Sequence, residues 1–306
     1  MKVLITGATG LVGEHLVRLL HEKGVSVHYL TTSKNKIVQE PQYKGFYWHP
    51  SAGIIDENAF DGVEVIIHLA GATVAQRWTS ASKQAIKDSR IKSAQLMYGV
   101  LERFRESGNP STVKQIISAS AIGCYPSSET KYYQENFEGY AQGFLGEVVQ
   151  EWENAVYKFK DLDVHTSLLR TGIILDKNEG ALAKIIKPIK NYAGASLGSG
   201  QQWQSWIHIE DMARLYMYIL ENNLAGVYNA VSPNPVTNEK LTKAAARILK
   251  KPLLLPKAPA FALKILLGEM SSIVLQSQKV SANKVLEAGF VFSYPNLEPA
   301  LQDLLA

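Results

Sequence analysis

Residues 2–13 constrain the fold of this chain more than any other stretch. Lys2-Val3-Leu4-Ile5-Thr6 is a short apolar run with branched side chains, the pattern of a buried strand. Gly7, Gly10 and Gly13 follow at G-x-x-G-x-x-G spacing, and residues 14–22 continue with helix formers and apolar positions at Leu16, Val17, Leu19 and Leu20. A glycine triplet alone fits any tight turn; the flanks here predict strand, turn and helix in that order. Gly7 turns the chain off the strand, Gly10 lets backbone approach a pyrophosphate, and Gly13 lets the helix pack close on the strand. The helix start then offers unpaired N–H groups and the positive end of its dipole to phosphates. The spacing differs by one position from the usual G-x-G-x-x-G.

The chain has 306 residues, room for a large α/β domain and a smaller companion. Its net charge of +4 comes from 32 basic and 28 acidic residues without a dense run, which argues against a nucleic-acid partner. Cys124 is the only cysteine, so no internal disulfide can form and a reducing, cytoplasmic setting is expected. No stretch approaches a membrane span, and the N-terminus enters the first strand with no room for a signal peptide, so neither a membrane nor a secretory route is expected.

Residues 25–30 predict a second strand, which ends in Thr31-Thr32-Ser33-Lys34. A carboxylate at this place holds the adenosine ribose of NAD; hydroxyls and a lysine suit a 2′-phosphate, with a plain polar turn as the alternative. A short third strand at 45–49 and a stronger fourth at 63–71 follow. The fourth ends in Leu69-Ala70-Gly71, small enough for a cofactor to lie across it, and His68 reads as a packed strand residue. Residues 80–105 form a long helix capped at Thr79-Ser80. A fifth strand at 113–118 runs into Ser118-Ala119-Ser120-Ala121, hydroxyls expected at the ligand crevice of a parallel sheet.

Further along come a polar loop at 127–140, a helix at 144–159 with Trp152 on its apolar side, and a sixth strand at 162–169 leading into Arg170-Thr171-Gly172. Residues 181–192 read as a helix interrupted by Pro188, and 194–202 as a glycine loop. Asp211 is expected to cap a helix through Leu220, with a strand at 227–231. Ser232-Pro233-Asn234-Pro235 is the clearest linker. It divides a dinucleotide-binding domain at 1–231 from a small C-terminal unit at 232–306, which contains a helix at 238–250 and an apolar segment at 261–270. The expected fold is therefore α/β, a Rossmann-like doubly wound parallel sheet with a small C-terminal domain on the substrate side.

Two other constellations fail. Gly194-Ala195-Ser196-Leu197-Gly198 matches G-x-S-x-G, but the nucleophile elbow needs a strand before it and a helix after it, and neither flank fits. The seven histidines include no H-x-x-x-H pair, so no metal site is expected.

Taken together, the glycine turn, Leu69-Ala70-Gly71, Arg77-Trp78, Asp88-Ser89-Arg90-Ile91, Ser118-Ala119-Ser120-Ala121, Leu169-Arg170-Thr171-Gly172, Gly198-Ser199-Gly200 and Ser205-Trp206-Ile207-His208-Ile209 resemble an atypical extended short-chain dehydrogenase/reductase. The resemblance is to the NAD-dependent epimerase/dehydratase superfamily, and more narrowly to "epimerase family" proteins with a C-terminal domain of unknown function, some labelled cell-division inhibitors. It implies NADP(H) bound by Gly7, Thr9, Gly10, Leu11, Val12, Thr31, Thr32, Ser33, Leu69, Ala70, Gly71, Arg90, Ser118 and Thr171. It also implies Ser120 in the place of the superfamily's catalytic serine or threonine. The superfamily's Y-x-x-x-K pair is missing: Phe144 and Val148 stand at the matching positions, and no tyrosine in the chain has a lysine four residues on. Tyr125, just past Ser120, is the candidate substitute acid, with a ring packed against the cofactor or substrate as the alternative. The implied activity is an oxidoreductase or nucleotide-sugar-epimerase-like reaction on a small carbonyl or sugar-like substrate. The alternative is a catalytically weak NADP-binding sensor or partner-binding protein.

Overall fold

The computed structural model describes residues 1–109 and 111–306. Seven parallel strands carry the fold: β1 (Lys2–Thr6), β2 (Ser26–Thr31), β3 (Tyr43–His49), β4 (Val65–His68), β5 (Gln115–Ala121), β6 (His165–Thr171) and β7 (Gly226–Ala230). Their order across the sheet is β3-β2-β1-β4-β5-β6-β7. The chain builds outward from β1 to β3, then crosses back to place β4 on the other side of β1. That reversal opens a crevice at the carboxyl ends of the strands.

Helices cover both faces, which is why the strands read as near-continuous apolar runs. On one face α1 (Leu11–Glu22) lays Leu16 and Leu20 on Val3 and Ile5. On the other, α2 (Ser80–Glu106) and α3 (Phe144–Tyr157) bring Met97, Val100, Trp152 and Val156 onto Leu4, Ile66, Ile116 and Leu168. A third cluster joins α4 (Gly180–Lys190), α6 (Asn238–Ile248) and the C-terminal helix Leu297–Leu305 around Trp206, with α5 (Ile209–Glu221) returning to the α1 face.

Several local expectations shift. Pro188 does not interrupt α4: it lies in the last turn, where its missing N–H removes a single bond and the helix ends at Lys190 regardless. The cap of α5 is His208, whose Nδ1 accepts from the Glu210 N–H at 3.1 Å. Asp211 is instead buried inside α5 and accepts from the Ser293 and Tyr294 backbone N–H groups, both at 2.8 Å. Trp203–Gln204 and Trp206–His208 form two short strands, and the second runs parallel to Ile173–Leu175.

Residues beyond the Ser232–Pro235 linker are stitched to the sheet's carboxyl side. Lys279–Val280 pairs with Tyr132–Tyr133, the Ser205 hydroxyl donates to the Gln278 carbonyl, and the Asn229 amide donates to the Ser281 carbonyl. The apolar run at α7 (Ala260–Leu267) is left uncovered among the described residues, with Phe261, Ile265 and Leu266 exposed. Among the described residues, no helix is long and apolar enough to cross a membrane.

Candidate active site

A cavity of about 510 Å³ lies at the carboxyl ends of β1, β4, β5 and β6. One end is the glycine turn. Gly7 takes a left-handed φ of +76°, and a Cβ on Gly13 would sit 2.2 Å from the Gly7 carbonyl oxygen, so the turn and the start of α1 require glycine at both places. Gly10, with φ of −102°, is not strained and presents open backbone to the cavity. No side chain caps α1, so Leu11 and Val12 stand at the wall with the unpaired N–H groups of a helix start. The Thr6 hydroxyl accepts from the Leu69 and Ala70 N–H groups at 3.1 and 3.0 Å, which clamps the end of β4 beside the turn.

Arg90 reaches in from α2 beside Gly71. Its Nη1 donates to the Ala72 and Ile86 carbonyls at 3.1 and 2.8 Å, and its guanidinium lies 5.1 Å from the Trp152 ring centre. Burial lowers its pKa to about 10, so it stays charged at neutral pH. The Thr171 side chain stands at the far wall and donates to the Leu169 carbonyl.

Ser120 lies on the cavity wall at the end of β5 and donates to Glu153 Oε1 at 2.5 Å. Glu153 comes from α3 and is fully buried. Arg170 holds it with two hydrogen bonds of 2.9 Å, from Nε and Nη2, and the Tyr140 hydroxyl donates to it at 2.8 Å. Strand register explains the arrangement: Ser120 pairs with Arg170, and Arg170 with Asn229, in one row across β5, β6 and β7. Burial by itself lowers the Arg170 pKa, but the hydrogen bonds and charge of Glu153 raise it, and the guanidinium stands above its usual value.

Six expected site residues lie off the cavity wall, Tyr125 and Ser118 among them. Tyr125 is buried, stacked on Tyr133, and its hydroxyl donates to Asn229 and accepts from Arg170 Nη1 at 3.1 Å. The short 3₁₀ turn Ile122–Cys124 swings the ring into the core instead of the crevice, and burial pushes the phenol well above its ordinary pKa. It is not placed to act as the acid. Ser118 shares a strand face with Ser120 but sits one pleat deeper, against His68 Nδ1 at 3.1 Å, and lies outside the cavity wall. His68 Nε2 meets the Ser93 hydroxyl at 2.7 Å, and burial lowers the ring's pKa to about 3, so this is a neutral structural histidine.

The remaining expected positions divide by place. Gly7, Gly10, Leu11, Val12, Leu69, Ala70, Gly71, Arg90, Ser120 and Thr171 all line the one cavity. Thr9 is exposed on the turn, while Thr31, at the end of β2, with Thr32 and Ser33 after it, lies beyond the cavity's edge. Val148 is on the wall, and Phe144 packs edge-on against Trp78, so the positions of the missing pair carry no titratable group. Sequence reasoning missed Glu153, Gln204, Tyr216 and the Trp152 ring nitrogen. Three buried polar atoms on the wall have no partner: Trp152 Nε1, Gln204 Oε1 and the Tyr216 hydroxyl.

Sheet order, glycine turn and crevice together define a Rossmann-like protein of the extended short-chain dehydrogenase/reductase class. The chain belongs to the epimerase family within it. The NAD dependent epimerase/dehydratase family matches residues 3–154, and a domain of unknown function, DUF1731, matches 258–304. The chain is 37% identical over 310 residues to the chloroplastic epimerase family protein SDR39U1 homolog of Arabidopsis thaliana, covering 100% of this chain and 87% of that one. It is 36% identical to an epimerase family protein of Staphylococcus epidermidis over 99% of both. Human epimerase family protein SDR39U1, solved with NADPH, superposes with a TM-score of 0.83 at 25% identity over 99% of both chains. A UDP-N-acetylglucosamine 4-epimerase from Bacillus cereus, at 18% identity and a TM-score of 0.75 over 99% of this chain and 98% of that one, shares the fold.

Proposed function

We propose that the protein binds NADP(H) along this cavity and uses Ser120 to hold the oxygen of a small carbonyl or sugar-like substrate for an oxidoreductase or epimerase-type reaction. The observation that carries the reading is that the glycine turn and Ser120 face one continuous cavity. The residues present fit a dinucleotide: Gly10 leaves its backbone bare, the start of α1 offers unpaired N–H groups, and orphaned polar atoms wait on the wall. Gly7, Gly10, Leu11 and Val12 would hold the pyrophosphate, Leu69, Ala70, Gly71 and Arg90 the ribose and linker side, and Thr171 the nicotinamide end. Thr31, Thr32, Ser33 and Lys34 would take a 2′-phosphate, since no carboxylate stands there to repel it. The human relative's NADPH supports this choice.

When bound, a nicotinamide cofactor exchanges hydride with the carbon that bears the substrate oxygen. The protein's part is the proton. Because the Ser120 hydroxyl donates to Glu153, its lone pairs remain for a substrate hydroxyl. As that hydroxyl gives its proton to Ser120 Oγ, the serine's own proton passes to the Glu153 carboxylate; the reverse transfer serves a carbonyl. Arg170 and Tyr140 fix the carboxylate in place.

Titration of NADPH and NADH against tryptophan fluorescence tests the reading, since Trp152 and Trp203 line the cavity. NADPH is expected to bind the tighter. Gly10→Val, at a φ of −102° that a branched residue accepts, should keep the fold by circular dichroism. It should weaken NADPH by about tenfold or more, by placing a side chain on the phosphate path. Tighter NADH binding, or unchanged affinity in Gly10→Val, would overturn the reading.

A further inference from the structure

The charge on the cavity wall is confined to one residue. Among the described residues that line it, Arg90 alone carries a charged side chain, and that guanidinium is already engaged by two carbonyls and the Trp152 face at the cofactor end. The part of the cavity beyond Ser120 is walled by Leu145, Val148 and Ile273, with Gln204 and Gln276 as its polar groups. Gln278 reaches the same wall, but its amide nitrogen is already given to the Tyr125 carbonyl at 2.7 Å. Lys279, next along the chain, is not on this wall. Its Nζ lies 4.2 Å from the Trp203 ring centre, over a separate depression that it lines with Lys240 and Glu298.

A nucleotide-linked sugar brings a diphosphate into such a cleft. The start of α1 serves the cofactor's own pyrophosphate under the reading above, and the uncapped start of α3 brings backbone N–H groups but no charged side chain to the other end. A second anion would be desolvated against Leu145, Val148 and Ile273 with no cation to meet it, which opposes its binding. The polar side chains on this part of the wall are neutral. Gln204 and Gln276 carry amide donors and acceptors that a neutral hydroxyl or carbonyl oxygen can meet.

Resting on the proposed cofactor reading for the other half of the cavity, we propose that the substrate held between Ser120 and Gln204 is an uncharged, mainly apolar alcohol or carbonyl compound, and not a nucleotide sugar, phosphate or carboxylate. The glutamines orient it by neutral hydrogen bonds, and the aliphatic wall supplies most of the affinity.

The test has two stages. NADPH is first titrated to saturation by tryptophan fluorescence; failure at this stage counts against the cofactor reading itself. The NADPH-loaded protein is then melted with 1-indanone, a neutral ketone, and separately with UDP-glucose at equal concentration. The ketone is expected to raise the melting temperature and UDP-glucose to leave it unchanged. Gln204→Arg, which puts a cation where the wall has none, is expected to tighten UDP-glucose binding by about tenfold. If that variant does not fold, the wild-type comparison decides alone. A shift from UDP-glucose equal to or above that from the ketone, or no shift from the ketone, overturns the proposal.

Discussion

Ser120 stands where it does because a buried ion pair holds it. Glu153 is fully buried and Arg170 nearly so, and the pair is satisfied on every side by Ser120, Tyr140 and Tyr125. Removing one partner leaves the other charge desolvated, so Arg170→Met should lower stability by about 3–5 kcal/mol. Adding Glu153→Gln should restore part of that loss. Urea unfolding measures both, and a loss below about 1 kcal/mol, the size of a solvent-exposed pair, would contradict the account. His68 gives a second residue-scale prediction. Burial foremost, with the Arg90 charge adding to it, lowers its pKa from 6.5 to about 3. Between those values the unfolded chain binds a proton that the folded chain refuses. The neutral ring's contribution is therefore whole above pH 6.5 and lost as pH falls toward 3, by up to about 1.4 kcal/mol per unit. Stability measured from about pH 7 down to pH 5 should fall less steeply in His68→Gln than in the wild type, and equal slopes would refute this.

At the scale of elements, β1, the glycine turn and α1 were legible because their requirement is written in backbone geometry: only glycine fits at Gly7 and Gly13. The start of α2 was legible too, since Thr79 and Ser82 cap each other's backbone as their spacing allows. Glu153 was not, because a glutamate on a helix reads as a solvated charge until the partner strand's Arg170 is seen beneath it. Tyr125 was misplaced for a related reason. Distance along the chain put it at the crevice, but the turn Ile122–Cys124 decides which way the ring faces. Asp211 looked like a helix cap because aspartate so often is one; its real partners, Ser293 and Tyr294, lie some eighty residues on and leave no local trace.

Across the whole molecule, the parallel sheet and its crevice followed from alternating strand and helix patterns. What the sequence hid is how much of the first part depends on the last. Buried Asp211 takes two backbone donors from beyond the linker, Ser205 and Asn229 bond to Gln278 and Ser281, and Tyr125's carbonyl accepts from Gln278. A chain ending near Ser232 should accordingly be insoluble or melt without a sharp transition, by calorimetry. A soluble truncation with a cooperative transition would contradict this. The central claim is that one cavity holds NADP(H) at the glycine turn and presents its reactive end to Ser120. A crystal structure of the protein grown with NADPH tests it most directly. The account predicts the pyrophosphate against the Leu11 and Val12 N–H groups, the 2′-phosphate at Thr31–Lys34 and the nicotinamide beside Ser120 and Thr171. A cofactor seated elsewhere, such as the depression beside Lys240 and Lys279, or a nicotinamide turned away from Ser120, would contradict it.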